Sequence, residues 1–457
     1  MSLWTSDEIA GATGGVASAP FAVGGVAFDS REVGAGDLFV ALAGAATDGH
    51  RFLPQAFAQG AAGAVVSAPC AKEVGEPHVR VPDTFAALND LARAARTRTG
   101  ATVIGVTGSA GKTSAKEALA AALARGCPDR VHRSVKSYNN HTGVPLSLAR
   151  MPRDSRYAVL EMGMNHAGEL AALTRLVRPH VAIVTTVGSA HIEFFRNEEG
   201  IADAKGEIFQ GLEPGGTAIV PFDNRHRDRL LAAARPHAGR IVTFGLGDGA
   251  DVRATEVMRS STGGSFVTAR VGNRELSFTL SQPGAHWVSN ALAVLAAVDA
   301  VGGDLGLAGL ALAELGGLPG RGARFNAAVA GGTALVIDES YNANPASMRA
   351  TLAVLADEPG RHVAVLGQMG ELGADSARFH AELAEPVLAA RVELALLVGE
   401  AMTPLARALE QRVDVVHVAD AAAALDALPD VVRGGDTVLV KGSNAVGLSR
   451  VVASLRG

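Results

Sequence analysis

Apolar residues fall in short runs bounded by glycine, too brief for most helices and of the right length for buried strands. From the middle of the chain onward these runs alternate with stretches rich in Ala, Leu, Glu and Arg, which favour helix. Strands are expected at Thr102–Thr107, Arg130–Val135, Tyr157–Glu161, Val181–Val187, Thr217–Val220 and Ile241–Gly245. Apolar strands separated by helices imply a mostly parallel, doubly wound sheet. Ala254–Leu280 departs from this alternation and reads as antiparallel strands added at one edge, and Trp287–Val301 reads as a long helix.

Past Pro319-Gly320 the alternation resumes, with strands expected at Thr333–Ile337, His362–Leu366, Leu394–Val398, Val413–Val418 and Thr437–Val440. That is a second, Rossmann-like α/β unit. Before about Pro82 the runs Asp37–Ala43 and Ala61–Ser67 sit among Gly-rich turns with weak helix signals, as in a small α+β unit. A chain of 457 residues exceeds one core, so three domains are expected: 1–82, 83–318 and 319–457.

Composition narrows the function. A hydrophobic content of 48% excludes a disordered chain. The net charge of −5 offers no basic footprint, so no nucleic-acid partner is expected. No apolar run is long enough to span a bilayer, so no membrane insertion is expected. Met1–Gly15 lacks the basic and apolar regions of a secretory signal. Cys70 and Cys127 make no metal-ligand spacing, and so few cysteines suit a reducing compartment. A cytoplasmic protein is expected.

The strongest chemical signal is Gly105-Val106-Thr107-Gly108-Ser109-Ala110-Gly111-Lys112-Thr113, between the strand Thr102–Val106 and a helix over Ser114–Ala124. A glycine-rich turn into a helix leaves backbone N–H groups free at the positive end of the helix dipole, which holds phosphate. Gly108 to Ser114 would cradle it, with Lys112 on the β/γ-phosphates and Thr113 on Mg²⁺. The string departs from the strict pattern by having Val106 where a glycine is usual.

Ligands of open α/β sheets bind beyond the carboxyl ends of the strands. Glu161 and His191 follow two strands on the P-loop edge and are candidate Mg²⁺ ligands. Lys205 would start a helix nearby, and locally it reads as a surface lysine. Asp338-Glu339-Ser340-Tyr341-Asn342-Ala343-Asn344-Pro345 ends the first expected strand of the third unit. It reads either as a cap for a helix over Ala346–Leu355 or as a site facing the P-loop. Arg321, at the domain joint, could reach a γ-phosphate.

Taken together these motifs resemble the Mur ligases of peptidoglycan synthesis, over essentially the whole chain. The first unit carries Asp29-Ser30-Arg31, Asp37-Leu38-Phe39-Val40-Ala41 and Asp48-Gly49-His50-Arg51-Phe52. The second adds Asn139-Asn140-His141-Thr142-Gly143-Val144-Pro145, Glu161-Met162-Gly163 and Gly188-Ser189-Ala190-His191. Tyr341-Asn342-Ala343-Asn344-Pro345 and Gly367-Gln368-Met369-Gly370-Glu371-Leu372-Gly373 point to the branch that adds D-alanyl-D-alanine. The Asp-Asn-Pro-Arg string of the diamino-acid-adding branch is absent.

The resemblance implies UDP-substrate, ATPase and amino-acid-binding domains. It implies ATP, two Mg²⁺ sites, and UDP-MurNAc-tripeptide and D-Ala-D-Ala as substrates of a monomer. It gives Lys112, Thr113, Asn290, Arg321 and Asp338 to ATP, and Thr113, Glu161, His191 and Lys205 to metal. Ser30 and Arg31 would face uridine, Asn139, Asn140 and Thr142 the muramyl-peptide, and Asn342 and Asn344 the dipeptide. It also implies that Lys205 is carbamylated. An ammonium about 4 Å from a divalent ion would be repelled by several kcal/mol, whereas a carbamate becomes a ligand. A third domain rotating onto the second is expected, hinged near Leu318–Gly322. Two departures stand out: His286 is followed by Trp287 where the family usually has Asn, and Lys441-Gly442-Ser443 by Asn444 where it usually has Arg. A folylpolyglutamate synthase would share the last two domains but not Asp29–Phe52. A nucleotide-binding regulator would not need the metal residues.

Overall fold

The computed structural model describes every residue except 1, 45–46, 68–73 and 261–262. Cys70 lies outside the described residues, and Cys127 is a buried free thiol. The first sheet runs in the order Val16–Ala17, His78–Val81, Gly63–Ser67, Asp37–Val40, Gly25–Ala27, parallel except at its first pairing. A helix, Ser6–Thr13, precedes it despite the weak signal. Few of its residues are apolar, and the helix is fixed instead by a capping box. Thr5 Oγ1 accepts from the Glu8 N–H, and the Thr5 N–H donates to the Glu8 carboxylate.

The helix Thr84–Arg98 packs Ala87, Leu88, Leu91 and Ala95 into the core of this first sheet, while Ala92 faces the central core. It is therefore shared across the boundary expected at residue 82. Arg96 fixes its far end: Nε donates to the Val177 carbonyl at 2.8 Å and Nη2 to the Arg178 carbonyl at 2.7 Å and to Glu213 at 3.1 Å.

Among the described residues, nine strands make the central sheet. In spatial order they are Arg274–Leu280, Ser265–Val271, Val252–Arg259, Arg240–Gly245, Thr217–Pro221, Val181–Val184, Thr102–Thr107, Tyr157–Glu161 and Val131–Arg133. The first three are joined antiparallel at the edge, as expected for Ala254–Leu280, and the rest are parallel. The chain places Tyr157–Glu161 on one side of Thr102–Thr107 and then Val181–Val184 on the other. The order reverses at the P-loop strand, which makes its carboxyl end the binding crevice of such a sheet.

The third sheet runs Ala323–Val329, Gly332–Glu339, Asp436–Lys441, Arg361–Gly367, Val392–Val398, Asp414–Val418. Its opening strand is one the sequence pattern missed, so Glu339 ends the second strand of this unit rather than the first. Ala323–Val329 reads poorly because only Ala323 and Ala327 are buried in it; it pairs antiparallel as the outer strand of a hairpin. Among the described residues no helix is long and apolar enough to cross a membrane.

Removing Arg96 would strand two carbonyls near the domain junction, while Glu213 would keep its pair with Arg178. Arg96→Ala is expected to lower stability by about 2–4 kcal/mol. The shift of the urea midpoint measures it, and an unchanged midpoint would refute the assigned role.

Candidate functional site

The P-loop is fastened to the loop after the strand Val181–Val184. The Ser109 N–H donates to the Thr186 carbonyl at 2.8 Å, and Ser109 Oγ bonds both the carbonyl and the N–H of Gly188 at 3.0 Å. Thr185 Oγ1 donates to the Ala110 carbonyl at 2.6 Å. Two glycines are obligatory. A Cβ on Gly108 would stand 1.9 Å from Thr185 Oγ1, and Gly111 (φ 81°) could carry none without meeting Asn290 Oδ1 at 2.7 Å. The helix Lys112–Gly126 starts at Gly111 with no side-chain cap, which leaves its first-turn N–H groups available to an anion.

These groups open into a cleft of about 470 Å³ between the second and third units. Ser109, Ala110, Gly111, Lys112, Thr113 and Ser114 line one wall. Lys112 is half-buried and turned back, its Nζ donating to the Gly108 carbonyl at 2.7 Å. Burial pushes its pKa below the ordinary lysine value. Asn290 and neutral His286 line the cleft beyond the loop; burial drives the His286 pKa down to about 4.

Glu161 ends its strand fully buried and accepts from Thr113 Oγ1 at 2.8 Å and from Asn139 Nδ2 at 2.7 Å. A hydroxyl and a carboxylate in contact give a pair of hard oxygen donors. His191 lies in the cleft wall on the next loop. Among the described residues no three His, Cys, Asp or Glu side chains come together in a metal-binding group. Ordinary ligands alone therefore do not fill a coordination shell here.

Lys205 sits in the last turn of the helix Glu198–Gly206, not at the start of one. The helix begins earlier than expected because Asn197 caps it, accepting from the Gly200 N–H. The surface reading also fails, since Lys205 is only 1% exposed. It has no hydrogen-bond or ion-pair partner among the described residues. Burial, with Lys112 nearby, holds its pKa well below the ordinary lysine value.

The third unit closes the opposite wall. Arg321 Nη2 donates to Ser137 Oγ at 3.2 Å, and its guanidinium lies over the Tyr341 ring. Asn344 settles the two readings of its cluster by doing both. Its Oδ1 caps the helix Pro345–Ala356 through the Ser347 N–H, while Nδ2 reaches the Ser109 carbonyl of the P-loop at 3.2 Å. Asn342 lines the cleft and its carbonyl accepts from Lys441 Nζ. Asp338 is not on the cleft wall. Its carboxylate accepts from the Gly320 N–H at 2.8 Å and from Ser340, and Arg456 stands 3.5 Å away.

Ser30 and Arg31 line a separate cavity of about 750 Å³ in the first unit, which Thr142 also borders. Asn139 lies in the central cleft instead. Asn140 lines neither: its Oδ1 accepts from the Thr142 and Gly143 N–H groups and the Thr142 hydroxyl, turning the chain into the next helix.

Sequence reasoning gave no role to four participants. Lys116, wholly buried, donates to the Ser134 and Lys136 carbonyls and holds the loop that carries Asn139. Ser137 on that loop stands 3.3 Å from Thr113 Oγ1. Glu339 and Lys441 are paired in register at the carboxyl ends of adjacent parallel strands, and both line the cleft. Strand-end reasoning put Glu339 in a candidate cluster without giving it a role, and the same rule would have found Lys441.

Profiles of known families match most of the chain: the Mur ligase middle domain over residues 106–298, the Mur ligase glutamate ligase domain over 323–444, and the Mur ligase family catalytic domain over 22–96. The UDP-N-acetylmuramoyl-tripeptide–D-alanyl-D-alanine ligase of Escherichia coli K12 is 37% identical over 434 residues, covering 94% of this chain and 93% of the relative. The same-named Bacillus subtilis protein is 34% identical, covering 94% and 93%. Among solved structures, MurF from Acinetobacter baumannii superposes with a TM-score of 0.85 at 31% identity, covering 99% of this chain and 98% of that one. The Thermotoga maritima MurF ligase in complex with ADP does so with 0.78 at 28%, covering 94% and 96%.

Gly111→Ala would drive a methyl group into Asn290 and strain the loop. ATP affinity is expected to fall at least about tenfold, or 1.4 kcal/mol. Equilibrium dialysis checks this, and undiminished binding would contradict the geometry.

Proposed function

The chain belongs to the Mur ligase family, and we propose that its central cleft is where ATP and the two substrates meet. It is an ATP-dependent ligase that joins D-alanyl-D-alanine to the tripeptide carboxylate of UDP-N-acetylmuramoyl-tripeptide, in peptidoglycan synthesis. The observation that carries the site assignment is the single cleft that gathers the P-loop, Glu161, Asn139, Arg321 and the Asn342–Asn344 loop from two domains.

We assign residues 1–82 to the UDP-substrate, 83–318 to ATP and 319–457 to the dipeptide, in a cytoplasmic monomer. Ser30, Arg31 and Thr142 border the cavity that suits the UDP end. Oxide is a poor leaving group, so the carboxylate must be activated. One of its oxygens attacks the γ-phosphorus and ADP departs, leaving an acyl phosphate. The dipeptide amine then attacks the carbonyl carbon, loses a proton, and phosphate leaves. Lys112, the first-turn N–H groups and Arg321 stabilise the charge on the transferring phosphoryl group. Lys112 must turn from the Gly108 carbonyl to do so. Asn290 borders the adenine end, and Asp338 acts on the nucleotide side through the Gly320 joint that it holds.

The residues present fit magnesium. Thr113 and Glu161 are hard oxygen donors in contact, and the unpartnered, buried Lys205 amine is depressed toward its neutral, nucleophilic form. That form can add CO₂ to give a carbamate. Thr113, Glu161, His191 and carbamylated Lys205 would hold the ions, which neutralise phosphate charge when bound.

Phosphate release from ATP is expected only with tripeptide and D-Ala-D-Ala together. Release with UDP-MurNAc-dipeptide and diaminopimelate instead would overturn the substrate assignment. Lys205→Ala should abolish turnover, with partial recovery on adding short carboxylic acids, and full activity without them would overturn the carbamate.

A further inference from the structure

His191 and Glu371 meet where the second and third domains join. His191 Nδ1 lies 2.5 Å from Glu371 Oε2. Beside them the Glu193 N–H donates to the Glu371 carbonyl at 3.2 Å. Ile192, next in the chain, packs against the cores of both domains. Both residues are left-handed, His191 at φ 64° and Glu371 at φ 58°. Such backbone costs a non-glycine residue of order 1–3 kcal/mol and persists only when the surroundings over-determine it. The two side chains are thus brought face to face by strained loops from different domains.

The contact has a chemical consequence. A bare imidazole lone pair 2.5 Å from a carboxylate oxygen would be repelled, so Nδ1 must carry the proton. In a neutral ring this leaves the lone pair on Nε2. As the ring stands its N–H is not aligned on the oxygen, and Nδ1 has no other acceptor. A small ring rotation completes the bond.

We propose that Glu371 is a positioning residue for His191: it fixes the Nδ1–H tautomer and so presents Nε2 to the divalent ion. Because Glu371 arrives on the third domain, docking of that domain readies a metal ligand carried by the second. The proposal rests on the reading of His191 as a metal ligand.

Mn²⁺ binding, followed by electron paramagnetic resonance on the full chain with a non-hydrolysable ATP analogue and UDP-MurNAc-tripeptide, tests it without turnover. His191→Ala and Glu371→Ala are each expected to weaken Mn²⁺ binding by about tenfold or more, the usual effect of losing a ligand's orienting partner. Glu371→Gln keeps an oxygen that accepts from Nδ1–H, and should stay within about threefold of the parent. The Glu371 side chain is 45% exposed, so both variants should melt as the parent does. If His191→Ala weakens binding and Glu371→Ala does not, the proposal falls and the ligand reading stands. If neither weakens it, the ligand reading falls and takes the proposal with it. If Glu371→Gln is as weak as Glu371→Ala, charge and not tautomer control is at work, and the proposal is overturned.

Discussion

Everything at the cleft depends on backbone N–H groups that the helix Lys112–Gly126 cannot satisfy itself. An α-helix leaves its first-turn donors unpaired, and here no side chain caps them. At four other helices such ends are closed by Asp83, Asn197, Asp304 and Asn344. At the P-loop the place of a cap is taken by Gly111, whose left-handed turn and missing Cβ keep the space open against Asn290. An uncapped helix end is a cost in the free protein, which the anion of the proposed site would offset.

The neighbouring loop, from Ser134 to Thr142, makes that site sensitive to all three domains. Lys116 holds it from below through two carbonyls. Tyr138 donates from it to Glu32 of the first domain at 2.7 Å. Ser137 stands between Thr113 and Arg321, and Asn139 donates to Glu161. Together with the bond from Asn344 to the P-loop, this loop ties the P-loop, the proposed metal residues Thr113 and Glu161, and Arg321 at the domain joint into one polar network. An acyl phosphate survives only where water is excluded, and a cleft walled by two domains supplies that exclusion.

What could be read in the sequence follows from how local its cause is. Thr102–Thr107, Tyr157–Glu161 and Thr217–Pro221 are buried on both faces, so their continuous apolar runs announced them. The P-loop was legible because its glycines answer to local backbone geometry. Ala323–Val329 was not, since an edge strand needs little apolar sequence. Lys205 and Lys116 look like surface lysines one residue at a time. Burial alone distinguishes them, and burial is set by helices and strands distant in the chain. Asp338 and Glu339 show the limit of strand-end reasoning. They are adjacent, yet only Glu339 lines the cleft, because successive residues of a strand point to opposite faces.

For the proposed site to be complete, the third domain must be docked on the second, through Asn344 on Ser109, Arg321 on Ser137 and Glu371 beside His191. Small-angle scattering of the protein alone, and with ATP analogue plus UDP-MurNAc-tripeptide, tests it directly. The liganded curve is expected to match the closed arrangement, and the free protein to be more extended, hinged near Leu318–Gly322. Curves that superpose with and without the ligands would contradict it.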